Sequence, residues 1–219
     1  MIINRLNGAA LALVALSVLL ALGVGPSLPD PVPTHWNAAG EIDGWTPKPW
    51  GVWLFPLITG ALWLVFLVLP LISPRGFRLD TARRPYDIIW LVMVVFMVAV
   101  QALAYAAALG RGPGVTLSVN LLVGILFIVL GNYLGKFPKN FFVGIRTPWT
   151  LASDEVWNRT HRLAGWTFTV AGFVVVAAAL LAPRAWGLFV GTVTVAALLP
   201  VLYSLWLYRR LHGFGRDPD

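Results

Sequence analysis

The chain has 219 residues, of which 58% are hydrophobic and 11% are charged, and its mean hydropathy is +0.79. A soluble domain carries about 25% charged residues, so this composition excludes a soluble globular protein and indicates an integral membrane protein. Because the sequence contains no cysteine, it also excludes a disulfide framework and a thiolate metal site.

Six apolar segments are long enough to cross a bilayer, which takes about 20 helical residues. We therefore predict an all-α integral membrane protein with six transmembrane helices, at Leu6–Leu28, Trp50–Ile72, Tyr86–Leu109, Val115–Leu134, Arg162–Leu181 and Trp186–Tyr208. Arg5 before the first apolar run is reminiscent of a signal peptide. The run is too long for a typical signal peptide and lacks a convincing small-residue cleavage site, so we expect a retained helix.

The distribution of lysine and arginine predicts the orientation of the spans. Of the 16 basic residues, 13 fall on the side that holds both termini, and only Lys48, Arg111 and Arg184 fall on the other. Since basic loops stay in the cytosol, both termini are expected there. This asymmetry accounts for the net charge of +7 without direct nucleic-acid binding. The basic loops and the tail at residues 209–219 are expected to contact anionic membrane lipid.

The predicted outer loop after the first span, Pro29–Lys48, should form an ordered hairpin-like cap. Its prolines hold the chain extended, and Asn37, Gly40 and Asp43-Gly44 are turn residues. Three interpretations stay open: a metal site at His35, Glu41 and Asp43; hydrogen bonds that close the loop, with Lys48 paired to Asp43; and a binding surface for an extracellular ligand. The first has no recognised ligand spacing, so we predict no metal and no cofactor. The candidate ligand-binding residues are His35, Trp36, Asn37, Glu41, Asp43, Trp45 and Lys48.

The predicted inner loop lies in the stretch from Asn132 to Leu151, which concentrates basic, aromatic, proline and asparagine residues between apolar spans. Thr147 and Pro148 are expected to break helix, and Ser153 to cap a helix that runs to Leu181. Those 28 residues would measure about 42 Å, so the fifth span should project into the cytosol. Its residues Trp157 and His161 share one face.

A polar face of that projection, formed by Asp154, Asn158, His161 and Arg162, is expected to lie against the inner loop, with Arg146 paired to Asp154 or Glu155. Either this region is a structural lock, or it docks a cytosolic partner. The candidate residues are Asn132, Asn140, Gly144, Arg146, Thr147, Pro148, Trp149, Asp154, Trp157 and His161.

Catalysis and transport have weaker support in the sequence. No nucleophile motif or paired carboxylates accompany His161, so we predict no catalytic residues and expect a protein that is not an enzyme. Gln101, Asn120 and Asn132 are polar residues within the spans, but no ionisable residue lies near a bilayer midplane, where ion-coupled carriers usually keep one. A small-molecule or peptide transporter and a membrane enzyme of unknown substrate stay as alternatives.

Two motifs resemble a known family. Gly144-Ile145-Arg146-Thr147-Pro148-Trp149-Thr150-Leu151, followed by Trp157 and His161-Arg162, resembles the signature of the SdpI family, the immunity proteins for a secreted sporulation-delaying peptide toxin. Pro33-Thr34-His35-Trp36-Asn37, with Gly40-Glu41-Ile42-Asp43-Gly44-Trp45 and Lys48, resembles the N-terminal domain of unknown function often joined to it. The resemblance covers roughly residues 11–64 and 119–189.

The resemblance implies a six-helix protein of a prokaryotic cytoplasmic membrane that protects its cell against a toxic peptide. It also implies recruitment of a small cytosolic repressor to the membrane when toxin is engaged. Together with the spans, it predicts a two-helix module with the outer loop at residues 1–75, a third helix with connecting loops at 76–115, an SdpI-like module at 116–208, and a basic tail at 209–219.

Overall fold

A computed structural model describes residues 4–37, 40–74, 79–112, 114–182 and 185–213. Within them lie seven α-helices and one two-stranded sheet. The elements are α1 (Arg5–Val24), β1 (Val32–Trp36), β2 (Ile42–Thr46), α2 (Trp50–Val68), α3 (Arg83–Ala108), α4 (Val115–Leu134), α5 (Pro148–Ala152), α6 (Asp154–Leu181) and α7 (Trp186–His212), with 3-10 turns at Gly25–Ser27 and Leu79–Ala82. Of the basic residues in the charge count, Arg75, Arg78, Arg184 and Arg216 lie outside the described residues, as does the end of the predicted tail.

The six predicted spans are confirmed: α1, α2, α3, α4, α6 and α7 are each long and apolar enough to cross a membrane. The start and end of α4 and the end of α6 agree with the prediction. The first span, Arg5–Ser27, lies within one residue of the predicted bounds; its α-helix ends at Val24 and the span continues as the 3-10 turn Gly25–Ser27, next to Pro26. Helix α3 begins at Arg83, before the predicted start of the third span at Tyr86. Helix α7 ends at His212, beyond the predicted end of the sixth span at Tyr208.

Two sets of three helices form the bundle. Helix α1 packs on α2 and α3, α6 packs on α4 and α7, and the two sets meet where α3 contacts α4. Many large apolar side chains remain exposed on these helices, including Leu19, Leu64, Phe173 and Leu202. Because a water-exposed surface of this kind would be costly, these faces are suited to lipid.

Helices α4 and α6 approach each other most closely at glycines. A Cβ built on Gly165 would lie 2.9 Å from the carbonyl oxygen of Gly131, and one built on Gly172 would lie 2.5 Å from that of Gly124. Glycine is therefore required at these crossings, as at many helix contacts in membranes. Phe127 and Phe168 stack across the same interface, with ring centroids 4.8 Å apart.

The antiparallel helices give the bundle two distinct ends. We call them the hairpin end, which carries β1 and β2, and the loop end, which carries the segment from Gly135 to Ser153. At the loop end, the buried carboxylate of Asp87 accepts hydrogen bonds from Arg83 Nε at 3.0 Å and from Asn4 Nδ2 at 2.5 Å.

Candidate functional site

The predicted cap at the hairpin end is confirmed as a β-hairpin. Strands β1 and β2 pair antiparallel, with Val32 opposite Thr46 and Trp36 opposite Ile42. Asn37 closes the turn: its backbone N–H bonds to the Glu41 carbonyl at 2.9 Å, and its side chain accepts a bond from the Glu41 N–H at 3.0 Å. Val32 and Pro33 are buried, so β1 anchors the hairpin on the helices.

The charged side chains of the hairpin pair differently from the sequence prediction. His35 Nδ1 lies 2.5 Å from Asp43 Oδ1, whereas the predicted Lys48–Asp43 pair is wrong. Lys48 instead donates from its backbone N–H to Asp30 Oδ1 at 3.1 Å and from Nζ to the Pro26 carbonyl at 3.4 Å. The difference arises because His35 and Gly44 are register partners, which brings His35 next to Asp43, while Lys48 follows the strand and turns back toward the end of α1.

The candidate residues of the outer loop therefore divide into two sets. Asn37, Glu41 and Lys48 make bonds that hold the hairpin in shape. His35, with 71% of its side chain exposed, and Trp45, 54% exposed, present free surface. Among the described residues, no group of three or more histidine, aspartate or glutamate side chains could hold a metal ion.

At the loop end, Asn140 organises the segment between α4 and α5 (residues 135–147). We call it the α4–α6 loop, because it belongs to the connection between the membrane spans α4 and α6, in which α5 is only a short helix. Its fully buried carboxamide donates to the carbonyls of Pro138 and Val143 and accepts from the N–H groups of Phe142 and Val143, at 2.7–3.1 Å. An amide group has two donors and an oxygen with two lone pairs, so all its hydrogen-bonding capacity is used within the loop.

Trp157 and His161 of α6 attach this loop to the helix bundle. Their rings stack at 3.9 Å, as their shared face predicts. Trp157 Nε1 donates to the Phe137 carbonyl at 2.8 Å. His161 Nδ1 lies 2.8 Å from the Trp157 carbonyl, and His161 Nε2 accepts from the Ile145 N–H at 2.9 Å, which places the ring proton on Nδ1.

Gly144 lies against the same imidazole. Its φ is +113°, and a Cβ built there would collide with His161 Nε2. Only glycine combines that backbone conformation with so close an approach. The candidate residues Asn140, Gly144, Trp157 and His161 are thus brought together in one packed arrangement.

Thr147 interrupts helix as predicted, since its backbone is extended, but Pro148 is wrongly predicted to break helix, because it begins a short helix, α5. Thr147 is the N-cap, its hydroxyl accepting from the Thr150 N–H at 3.2 Å, and Pro148 occupies the first turn, where its missing N–H costs nothing. The buried Thr147 hydroxyl also lies 3.1 Å from Ser204 Oγ of α7. Ser153 caps α6 as predicted, accepting from the Val156 N–H at 3.4 Å.

The predicted pairing of Arg146 with Asp154 or Glu155 is wrong. Arg146 is exposed and donates to the Phe141 carbonyl at 2.6 Å. Asp154 pairs with Lys139 at 2.7 Å, and Glu155 with Arg159 at 2.8 Å. Because the loop folds back on itself, the residue that reaches the start of α6 is Lys139 and not Arg146.

The predicted contact of the polar face of α6 with the loop is confirmed for Asp154, which pairs with Lys139, and for His161, which accepts from the Ile145 N–H. Asp154, Asn158 and Arg162 are exposed, and only His161 is buried. The helix instead buries the stripe Val156, Trp157, Thr160, His161 and Ala164. Burying a charged side chain costs free energy. The helix therefore buries its aromatic and small side chains, and its charged side chains stay hydrated on the exposed face.

Some candidate residues lie apart from this arrangement, and others were missed. Asn132 is exposed and donates to the Ile128 carbonyl within its own helix at 2.7 Å, so it does not join the loop. Trp149 is half-buried. Thr150 and Ser204 were not predicted, although both are fully buried and bond to Thr147. A Thr-x-x-Thr spacing across a proline could have indicated the Thr150 contact; nothing in the local sequence indicates Ser204.

The comparisons with known proteins agree with the two motifs. The SdpI/YfhL protein family profile matches residues 136–204, and that of a domain of unknown function, DUF1648, matches residues 12–60. The chain is 25% identical over 211 residues to Immunity protein SdpI of Bacillus subtilis (strain 168), covering 94% of this chain and 98% of that protein. No solved structure matches. The resemblance predicted from the two loops is confirmed: the chain of this multi-pass membrane protein matches DUF1648 in its N-terminal part and the SdpI/YfhL protein family in its C-terminal part.

Proposed function

We propose that this protein gives its cell immunity to a membrane-active peptide toxin from outside. The observation that carries the proposal is the similarity to an immunity protein along 94% of the chain. The DUF1648 match includes the hairpin, and the SdpI/YfhL match begins at residue 136 of the α4–α6 loop. The role needs no catalytic residue and no cofactor, and membrane lipid surrounds the apolar helix faces.

The proposal places the hairpin end outside the cell and assigns toxin sensing to it. The charge asymmetry of the loops supports that orientation. His35, Trp36, Asp43 and Trp45 offer a hydrogen-bonded His–Asp pair and two aromatic rings, and aromatic side chains are enriched where proteins recognise one another. Asn37, Glu41 and Lys48 would act indirectly, by holding the hairpin in shape.

The loop end would face the cytosol and recruit a small repressor protein. Its exposed residues are the ones available to a partner: Phe141, Arg146 and Pro148 are exposed, and Trp149 is half-buried. The buried residues Asn140, Thr147, Trp157 and His161 form the structural lock and support that surface. Lock and docking site are therefore two parts of one region in this proposal.

The experiment expresses the chain in a bacterium that is sensitive to the sporulation-delaying peptide and lacks its own immunity protein. Survival and a repressor-controlled reporter are measured together. We expect the wild-type chain to protect and to raise the reporter. His35→Ala should reduce both, while Arg146→Ala should spare survival and lower the reporter, because Arg146 lies on the opposite end of the bundle.

Arg159→Ala is the matched control, since Arg159 is exposed at the same end and pairs with Glu155 within its own helix. It should behave as wild type. If membrane-inserted His35→Ala and Arg146→Ala both kept full survival and full reporter signal, the two-ended mechanism would be wrong. A well-inserted wild-type chain that leaves killing unchanged would contradict the proposed immunity itself.

A further inference from the structure

A cleft lies beneath the hairpin, between the strands and the ends of four helices. Its volume is about 470 Å³, which falls in the usual range for ligand sites, about 300–1,000 Å³. The hairpin contributes Trp36, α3 contributes Leu103, α4 contributes Val119 and Asn120, and α7 contributes Trp186. The walls are mostly apolar, with the exposed His35 at the margin.

Asn120 is the unusual member of this lining. It is 7% exposed, and its carboxamide has no hydrogen-bond partner among the residues that the structure describes. Two other amide side chains within the spans, Gln101 and Asn132, do have partners. Gln101 exchanges bonds with Ser17 at 2.5 and 3.0 Å, and Asn132 bonds to the Ile128 carbonyl. The polar atoms of Asn120 open into the cleft and are not among the fully enclosed unpaired atoms of the described residues. An occupant that fills the cleft would enclose this amide, and an enclosed amide without partners is costly, so an occupant that supplies a donor and an acceptor is favoured.

The hairpin closes the cleft from above. Gly40, at the hairpin turn, has a φ of +82°, and a Cβ built there would lie 2.5 Å from Thr116 Oγ1 at the start of α4. Asn120 lies one turn further along the same helix. The hairpin, to which the proposed function assigns toxin sensing, therefore also covers the cleft that contains the Asn120 amide.

We propose that this cleft binds an apolar peptide segment, whose backbone amide pairs with Asn120. The inference rests on the proposed function for the identity of the physiological peptide. A peptide group carries one N–H donor and one C=O acceptor, which together match the donor and acceptor of a carboxamide. A lipid acyl chain would fill the apolar walls equally well but would leave the Asn120 amide unpaired.

The absence of native cysteine allows a direct binding test on the full chain, purified in lipid nanodiscs. Leu103→Cys places one thiol in the cleft, and its rate of reaction with a small uncharged maleimide is followed as acetyl-Leu-Leu-Leu-amide is added. We expect the peptide to slow this reaction. Adding Asn120→Leu should raise the peptide concentration needed for half-protection about tenfold, the loss expected for a pair of hydrogen bonds.

Three controls accompany the measurement. Ile125→Cys lies on the lipid-facing side of α4, 54% exposed, and the peptide should not protect it. Ser118 lies two residues before Asn120, and its hydroxyl donates to the Gly114 carbonyl. Ser118→Ala removes that hydroxyl and should leave peptide binding unchanged. Asn120→Leu should keep or raise the midpoint of thermal unfolding, because the Asn120 amide makes no hydrogen bond to the described residues and leucine adds apolar contact with the cleft wall.

Dodecanoic acid tests whether a lipid acyl chain, and not a peptide, occupies the cleft. If it protects Leu103→Cys as well as the peptide does, and Asn120→Leu changes neither, an acyl chain fills the cleft and the proposal is overturned. A lack of protection by the peptide also overturns it, as does a lower unfolding midpoint for Asn120→Leu with unchanged peptide binding. Peptide binding without cellular immunity would refute only the proposed function, and immunity without peptide binding would refute only this inference.

Discussion

Buried hydrogen bonds to the backbone determine the shape of the α4–α6 loop at the scale of single residues. Asn140 satisfies four backbone groups, and His161 and Trp157 satisfy three more. Leaving one such group unpaired costs about 1–3 kcal/mol. The loop is therefore stabilised by interactions that a single substitution can remove, and a partner docked on its surface would depend on them.

Gly144→Ala tests this dependence. Alanine at a φ of +113° is strained, and its Cβ would displace the His161 ring from the Ile145 N–H. We expect a loss of at least about 2 kcal/mol in the free energy of unfolding, measured by titrating the purified protein with SDS in mixed micelles.

Gly135→Ala is the matched control. Gly135 lies in the same loop with a φ of −74°. A Cβ there would meet the His161 carbonyl oxygen at 3.7 Å and Arg162 Cα at 3.9 Å, both ordinary contacts. Its unfolding free energy should stay near that of wild type. Equal stability of the two variants would mean that the packing of Gly144 on His161 does not matter.

Local spacing predicted the residue contacts that repeat along a helix, and failed for those that depend on the path of a loop. The four-residue separation of Trp157 and His161 placed their rings on one face, and they do stack. Sequence spacing could not predict in the same way which basic residue of the loop pairs with Asp154. The turn set by Asn140 sends Lys139 to Asp154, and this turn depends on bonds that no periodic pattern encodes.

At the scale of elements, apolar length and proline positions were enough to predict six spans, but not how the spans pack. Helix α4 contacts α6 through facing glycines, Gly131 with Gly165 and Gly124 with Gly172. The sequence shows these glycines without showing which helix each one meets. The pairing becomes evident only when the backbones are seen in contact.

Gly165→Val tests the importance of that contact. Its Cβ would lie 2.9 Å from the Gly131 carbonyl oxygen, and the two methyl groups would push α4 away from α6. We expect a loss of about 3 kcal/mol in the same SDS titration, with broadened gel-filtration profiles. Gly191→Val, in α7 where a Cβ would meet nothing within 4 Å, should remain close to wild type; comparable losses in both variants would point to a general intolerance of valine instead.

At the scale of the whole molecule, the two sets of three helices support a modular chain. The DUF1648 match falls within α1, the hairpin and α2, and the SdpI/YfhL match begins after α4 and ends within α7. We propose the division into residues 1–75, 76–115, 116–208 and 209–219 on this basis. Helix α3 packs on α1 and α2 and also contacts α4, so it would transmit any movement between the modules.

The orientation of the molecule decides whether the hairpin can meet an external peptide. Because 13 of the 16 basic residues lie on the other side, the hairpin is expected outside. In intact cells, a membrane-impermeant maleimide should therefore label Ile42→Cys, an exposed hairpin residue, and should leave Arg159→Cys unlabelled. Arg159 has half of its side chain exposed, so permeabilising the cells should make Arg159→Cys reactive, which excludes burial as the reason for its protection. The reverse labelling pattern would place the hairpin in the cytosol, where it could not sense a toxin arriving from outside.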